Sequence, residues 1–225
     1  MKEKLKQNGD VLLGALCSAV YLLWFSFLEN TVKYRYHIIH VALDDYIPFC
    51  EYFIIPYLLW FFYVGGMTLW FFKHDRAIFR KLIAFLFIGM FTSLLFCTLY
   101  PNGTDFRPAV DADKNVFTAL VARLYRTDTP TNVFPSIHVY NSIGIQIAVM
   151  QSGRLRRHRP VRIASGVLCV LICLSTMFLK QHSVLDVLAA SFLAFVVYGT
   201  VYAPEHAQDP AGELRRRALL RHSED

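Results

Sequence analysis

Charge is scarce in this chain. Asp, Glu, Lys and Arg make up 18% of its 225 residues, against about 25% in a soluble domain. Apolar residues fill the gap at 55%, and the mean hydropathy is +0.38. Cysteine is sparse too. Cys17, Cys50, Cys97, Cys169 and Cys173 are odd in number and share no paired spacing, and four of them sit inside apolar runs. Cysteine in such runs acts as a small hydrophobe, which excludes a disulfide framework and a cysteine-based metal site. Internal repeats and low-complexity tracts are also missing, so residues 1–225 read as one domain.

The apolar residues are clustered rather than spread. Several runs reach about 18 residues, enough to cross a bilayer. The spans expected are about 11–28, 52–72, 82–99, 136–150, 163–179 and 183–202. The fold class is therefore all-α: a polytopic membrane helical bundle with six transmembrane helices. The first span has the basic start and apolar middle of a signal peptide. Phe25-Ser26-Phe27-Leu28-Glu29 offers no small-x-small cleavage site, so the segment is expected to stay as an anchor. Residues 29–51 mix polar and apolar positions and fit a short interfacial helix. The fourth span carries His138, Asn141, Ser142 and Gln146. A helix that polar must face protein or water rather than lipid.

Between spans three and four runs a 33-residue connection, 101–133. That is too long for a mere joint and marks a functional loop. Within it, Val116, Phe117, Leu120, Val121 and Leu124 form one helical stripe, expected along the membrane surface. A polar, basic tail occupies 203–225.

Lysine and arginine set the orientation. Six spans put the N-terminus, Lys73–Lys81, Ser152–Arg162 and the tail on one side, with 16 of the 23 basic residues and a net charge of +8. The opposite side holds 7 basic and 9 acidic residues. Both termini are thus expected in the cytoplasm, in a multi-pass protein of the plasma membrane. The basic loops are explained by topology and anionic lipid, so the pI of 9.1 needs no nucleic-acid partner.

Three polar clusters fall on the less basic, extracytoplasmic face: Arg107, Pro135-Ser136-Ile137-His138, and Lys180 to Asp186. Arg107 is a forked, permanent cation suited to phosphate. Ser136 stands at a helix start, where free N–H groups and the positive dipole end favour an anion. Lys180 adds a third positive element. His182 and Asp186 are four apart, one face of a helix, so the carboxylate can hold one ring nitrogen and leave the other free. That is an inventory for phosphoryl transfer: His182 as nucleophile, Asp186 orienting it, and His138 protonating the leaving oxygen. No ligand cluster suggests a metal, so fixed cations must neutralise the charge. His37, His40 and Asp44 have a spacing compatible with metal binding, but an interfacial polar face is the better reading. Ser142 reads as a helix-packing hydroxyl.

These motifs resemble those of the type-2 phosphatidic acid phosphatases, membrane lipid-phosphate phosphatases related to vanadium haloperoxidases. The family pattern is Lys-x6-Arg-Pro, Pro-Ser-Gly-His, and Ser-Arg-x5-His-x3-Asp. Here it runs Arg107-Pro108, Pro135-Ser136-Ile137-His138, and Ser175-Thr176 followed by His182 and Asp186, within about residues 82–202. The resemblance implies phosphate binding by Arg107 and Ser136, acid catalysis by His138, and a phosphohistidine at His182 supported by Asp186, with no metal or other cofactor. Tyr100, Ile137 and Thr176 stand where the family has Lys, Gly and Arg. Lys180, one helical turn after Thr176, is expected to replace the missing arginine.

The expected function is metal-independent hydrolysis of a lipid phosphate or pyrophosphate monoester at the extracytoplasmic membrane face. Transfer of a phospho-headgroup between lipids is the alternative with the same site. A phospholipid-binding or transport protein without chemistry is the alternative of another class.

Overall fold

The computed structural model describes residues 2–32 and 35–202. Lys33 and the expected tail, 203–225, lie outside the described residues. In chain order the elements are α1 (Lys2–Thr31), β1 (His37–Ile38), α2 (Ala42–Tyr46), a 3-10 turn (Glu51–Phe53), α3 (Ile54–His74), α4 (Arg76–Leu99), β2 (Asn102–Gly103), α5 (Val116–Thr127), α6 (Ile137–Gln151), α7 (Arg159–Phe178) and α8 (Val184–Val201).

Among the described residues, five helical stretches are long and apolar enough to cross a membrane: Val11–Thr31, Glu51–His74, Arg76–Leu99, Arg159–Phe178 and Val184–Val201. Their outer faces are apolar. Leu23, Phe62 and Phe195 are 74%, 76% and 73% exposed, an exposure suited to lipid rather than water. These features are consistent with a multi-pass membrane protein.

The fourth expected span is the exception. It forms as α6, but its 15 residues rise about 22 Å at 1.5 Å per residue, short of a hydrocarbon core of about 30 Å. It packs against α3, α4, α7 and α8, and His138, Asn141 and Ser142 are all buried. Its polar residues are tolerated because protein, not lipid, surrounds it. Close approach to α4 depends on Gly89: a Cβ there would overlap the Tyr140 ring. That ring stacks on Phe85 at 4.6 Å, and its hydroxyl donates to the Phe85 carbonyl at 2.7 Å. Deeper in, the Tyr63 hydroxyl meets Ser165 Oγ at 2.7 Å, and Ser165 Oγ donates to Gln146 at 2.5 Å. This polar chain links α3, α7 and α6.

Residues 35–50 do not form the interfacial helix expected across 29–51. The chain instead lays β1 parallel to β2, pairing His37 with Asn102 and Ile38 with Gly103, and then turns through the five-residue α2. The long loop is closed at its base. Asn102 is fully buried and its Oδ1 accepts from the N–H groups of Val133 and Phe134 at 3.0 and 2.9 Å. Thr104 N–H donates to the Pro130 carbonyl at 2.8 Å. Gly103 permits this crossing, since a Cβ would lie 2.5 Å from the Pro130 carbonyl oxygen. The apolar stripe of α5 splits. Val121 is fully buried against Ile54, Tyr57 and Leu179, whereas Val116 and Leu120 face outward. The helix therefore roofs one end of the bundle.

Candidate active site

The closure of α7 sets the site's first wall. Gln181 N–H donates to the Thr176 carbonyl at 2.9 Å and Lys180 N–H to that of Met177 at 2.9 Å. This is the two-bond pattern of a helix ended by a left-handed residue. That residue is Lys180, with φ +54°, a conformation that glycine adopts more cheaply. His182 N–H donates to the same Thr176 carbonyl at 3.0 Å, so 180–182 is a fixed turn and not a helix.

His182 and Asp186 therefore do not share a helix face as the spacing implied. His182 precedes α8, and Ser183 is its N-cap. Asp186 closes a capping box, with Oδ2 accepting from Ser183 N–H at 3.0 Å. The same oxygen meets His182 Nδ1 at 3.1 Å. One carboxylate thus caps the helix and fixes the imidazole, leaving Nε2 for chemistry. Asp186 is fully buried at a helix N-terminus, where the dipole favours its charge.

A second carboxylate holds this cap. Asp44 of α2 is buried. Its Oδ2 accepts from Ser183 Oγ at 2.6 Å and its Oδ1 from Val184 N–H at 2.8 Å. The expected polar surface at His37, His40 and Asp44 is corrected here, because Asp44 turns inward. His37 stacks on Tyr100 at 4.1 Å, and His40 pairs with Asp45 at 2.9 Å. Among the described residues, no group of three or more His, Cys, Asp or Glu is placed to hold a metal ion.

The opposite wall is the start of α6. His138 is buried, with its ring 4.7 Å from Tyr57, 4.4 Å from Trp60 and 5.8 Å from His182. Its Nδ1 has no hydrogen-bond partner. Ser136 is the N-cap but makes no side-chain cap, and its buried Oγ is also unpartnered. The α6 start is fastened to α8 by Ser136 N–H donating to the Asp186 carbonyl at 3.4 Å.

Arg107 enters from the loop. Its Nη1 donates to the Asp128 carbonyl at 2.7 Å and its Nη2 to the Thr129 carbonyl at 3.1 Å, and Nη2 also donates to Gln181 Oε1. The guanidinium lies 4.9 Å over the Tyr125 ring. Burial lowers its pKa from the ordinary value, and the nearby Asp128 carboxylate works against that shift. Arg107, His138, Gln181 and His182 line one narrow pocket of about 50 Å³ with Phe25, Asn132 and Ile137. Two larger grooves, of about 540 and 510 Å³, flank α1 and α4. They are apolar and hold none of these residues.

No family model, curated protein or solved structure matches this chain. The assignment of chemistry therefore rests on the motifs and on this geometry.

The structure brings His182, Asp186, His138 and Arg107 together, with Ser136 behind them. It does not bring Lys180. The expectation that Lys180 sits one turn beyond Thr176 on the same face fails because α7 ends at Phe178. The left-handed turn sends the ammonium away, where Nζ donates to the Asp44 carbonyl at 2.7 Å and lies 5.6 Å from the Phe106 ring centre. Lys180 is a buried strut outside the pocket lining. Sequence reasoning missed Gln181, which looked like a spacer beside His182, and Asp44, whose partners lie about 140 residues away. It also missed Glu29, which accepts from Thr129 and Asn132 at 2.6 and 2.8 Å and ties α1 to the pocket rim. An acidic residue at the end of an apolar span was the available signal for Glu29.

Proposed function

We propose that this chain is an integral-membrane enzyme that removes the phosphoryl group from a lipid phosphate or pyrophosphate by way of a phosphohistidine. The observation that carries the reading is the His182–Asp186 pair at 3.1 Å facing His138 across one pocket that Arg107 also lines. His182 Nε2 attacks phosphorus while the bond to the lipid oxygen breaks, and His138 gives that oxygen its proton. In this reading His182 attacks as a neutral imidazole free at Nε2, and His138 carries its proton only once the phosphate is bound, when the substrate's negative charge offsets the cost of a buried imidazolium. Asp186 stabilises the imidazolium character that develops on His182. Water, deprotonated by His138, then attacks phosphorus and releases inorganic phosphate and free His182. Arg107 neutralises the equatorial oxygens throughout. The chain crosses the membrane six times in this reading, with α6 enclosed, both termini in the cytoplasm and the pocket on the extracytoplasmic side. The positive-inside distribution of Lys and Arg supports that orientation.

The test uses purified protein in detergent with EDTA, a panel of lipid phosphates, and thin-layer separation of products. Phosphate release that survives EDTA and disappears in His182→Ala supports the reading. A new phospholipid in place of inorganic phosphate means that a lipid hydroxyl, not water, resolves the intermediate. Lipid-phosphate binding with no turnover of any substrate would sink the enzymatic reading and leave a binding or transport protein.

A further inference from the structure

Gln181 is 1% exposed, and its side chain lines the pocket beside His182, His138 and Arg107. Its two amide ends have different fates. Oε1 accepts from Arg107 Nη2, whereas Nε2 has no hydrogen-bond partner. The amide is locked in this sense, because turning it over would set its N–H groups against a guanidinium that only donates. The backbone is equally fixed, since the N–H groups of Gln181 and His182 share the Thr176 carbonyl. A buried amide with both N–H groups unpaired is costly. An aliphatic side chain of similar length would avoid that cost if packing were the only role. The N–H groups are rigid, uncharged donors on a side chain that lines the same pocket as His182, and a preorganised donor of that kind stabilises a developing oxyanion.

We infer that Gln181 Nε2 donates to a non-bridging oxygen of a bound tetrahedral oxyanion, sharing with Arg107 the group that His182 attacks. The inference rests on the phosphoryl-transfer reading for its substrate. Its anion-binding content can be tested apart from turnover, with inorganic orthovanadate as the phosphate-shaped probe.

The experiment uses the full chain in detergent and reads two quantities: orthovanadate affinity from ligand-induced thermal stabilisation, and kcat/KM on phosphatidic acid. Gln181→Glu keeps an acceptor for Arg107 but removes both donors and adds a negative charge, so Gln181→Met, which removes the donors without adding charge, is read beside it. Both quantities are expected to fall by about 10²-fold. Orthovanadate affinity close to wild type in Gln181→Glu would mean that Gln181 only positions Arg107, and would overturn the inference. A second comparison serves where the Glu variant folds poorly. In an Arg107→Ala background, Gln181→Met should weaken orthovanadate binding further, by about tenfold. No further loss there would overturn the inference, because nothing remains for Gln181 to position. A wild type that binds orthovanadate and loses it in Gln181→Glu, yet hydrolyses no lipid phosphate, removes the enzymatic reading and keeps the donor. Turnover that dies in His182→Ala but persists with unchanged orthovanadate affinity in Gln181→Glu does the reverse. No orthovanadate binding by the wild type removes the donor assignment outright.

Discussion

Where α3 turns into α4 and α6 into α7, one carboxylate serves both turns. Asp75 caps α4 by accepting from Ile78 N–H at 3.3 Å, and Ser152 Oγ reaches its other oxygen at 2.8 Å. At the opposite end of the bundle polar side chains join several parts of the chain around the pocket. Asp44 holds Ser183 and Val184, Asn102 holds Val133 and Phe134, Glu29 holds Thr129 and Asn132, and Arg107 holds Asp128, Thr129 and Gln181. Yet several buried polar atoms at this heavily tied end have no partner: His138 Nδ1, Ser136 Oγ, Asp186 Oδ1, Gln181 Nε2 and Arg107 Nε. Of these residues, His138, Gln181 and Arg107 line the one pocket, so their open nitrogens can meet a ligand there, while the struts around them keep the pocket's shape.

The sharpest way to break this comparison is to remove the proposed nucleophile, His182. His182→Ala should lower kcat by at least about 10⁴-fold and abolish a phosphoenzyme trapped with labelled substrate. A variant that keeps the label would move the nucleophile elsewhere in the pocket. The next largest effect belongs to His138. Loss of a general acid costs about 10²–10⁴-fold, so His138→Ala should fall in that range on lipid phosphates. The loss should shrink sharply on an aryl phosphate whose leaving group needs no proton. Equal losses on both substrates would make His138 a packing residue against Tyr57 and Trp60.

Stability separates the two ends in a third test. Asp44→Ala strands Ser183 Oγ and Val184 N–H in a buried setting, at about 1–3 kcal/mol for each group left unsatisfied. Asp75→Ala removes a cap, at about 1 kcal/mol, and strands one buried hydroxyl, that of Ser152, fewer groups than Asp44→Ala leaves. Asp44→Ala should therefore unfold at the lower temperature and also lose activity, since it loosens the cap that aims His182. Asp75→Ala should retain kcat. Similar losses of activity in both variants would erase the distinction between a site scaffold and an ordinary turn.

Much of this was readable from residue order, and the exceptions have physical causes. The apolar runs announced α1, α3, α4, α7 and α8, because lipid-length hydrophobicity has few other uses. The polar residues of 136–150 announced that α6 would be enclosed, since they could not face lipid. Arg107, His138, His182 and Asp186 stood out because their chemistry is particular to their side chains, and the structure brings them together. Asp44 was not. Its neighbours suggested an exposed polar turn, and its partners lie on a helix that starts near residue 184. Gln181 was equally opaque, since a neutral amide carries no signal until its two ends are seen to differ. The misplacement of Lys180 had a local cause: a non-glycine residue in left-handed conformation ended α7 without the usual sequence mark.

Lys180 therefore gives the smallest and most discriminating prediction. If it were the substitute for a phosphate-binding arginine, Lys180→Ala would raise KM and weaken orthovanadate binding as Arg107→Ala does. In the geometry described, its ammonium serves the Asp44 carbonyl and the Phe106 ring. Lys180→Ala should then cost about 1 kcal/mol of stability and leave KM and orthovanadate affinity near wild type. Lys180→Gly loses the same contacts but relieves the left-handed backbone, which is worth about 1–2 kcal/mol for a residue with a Cβ. It should consequently unfold at a higher temperature than Lys180→Ala. A rise in KM in both variants would put the ammonium back in the phosphate site. The predicted order of melting temperatures, with KM unchanged, would assign Lys180 to the frame and leave Arg107 and Gln181 as the donors that meet the anion.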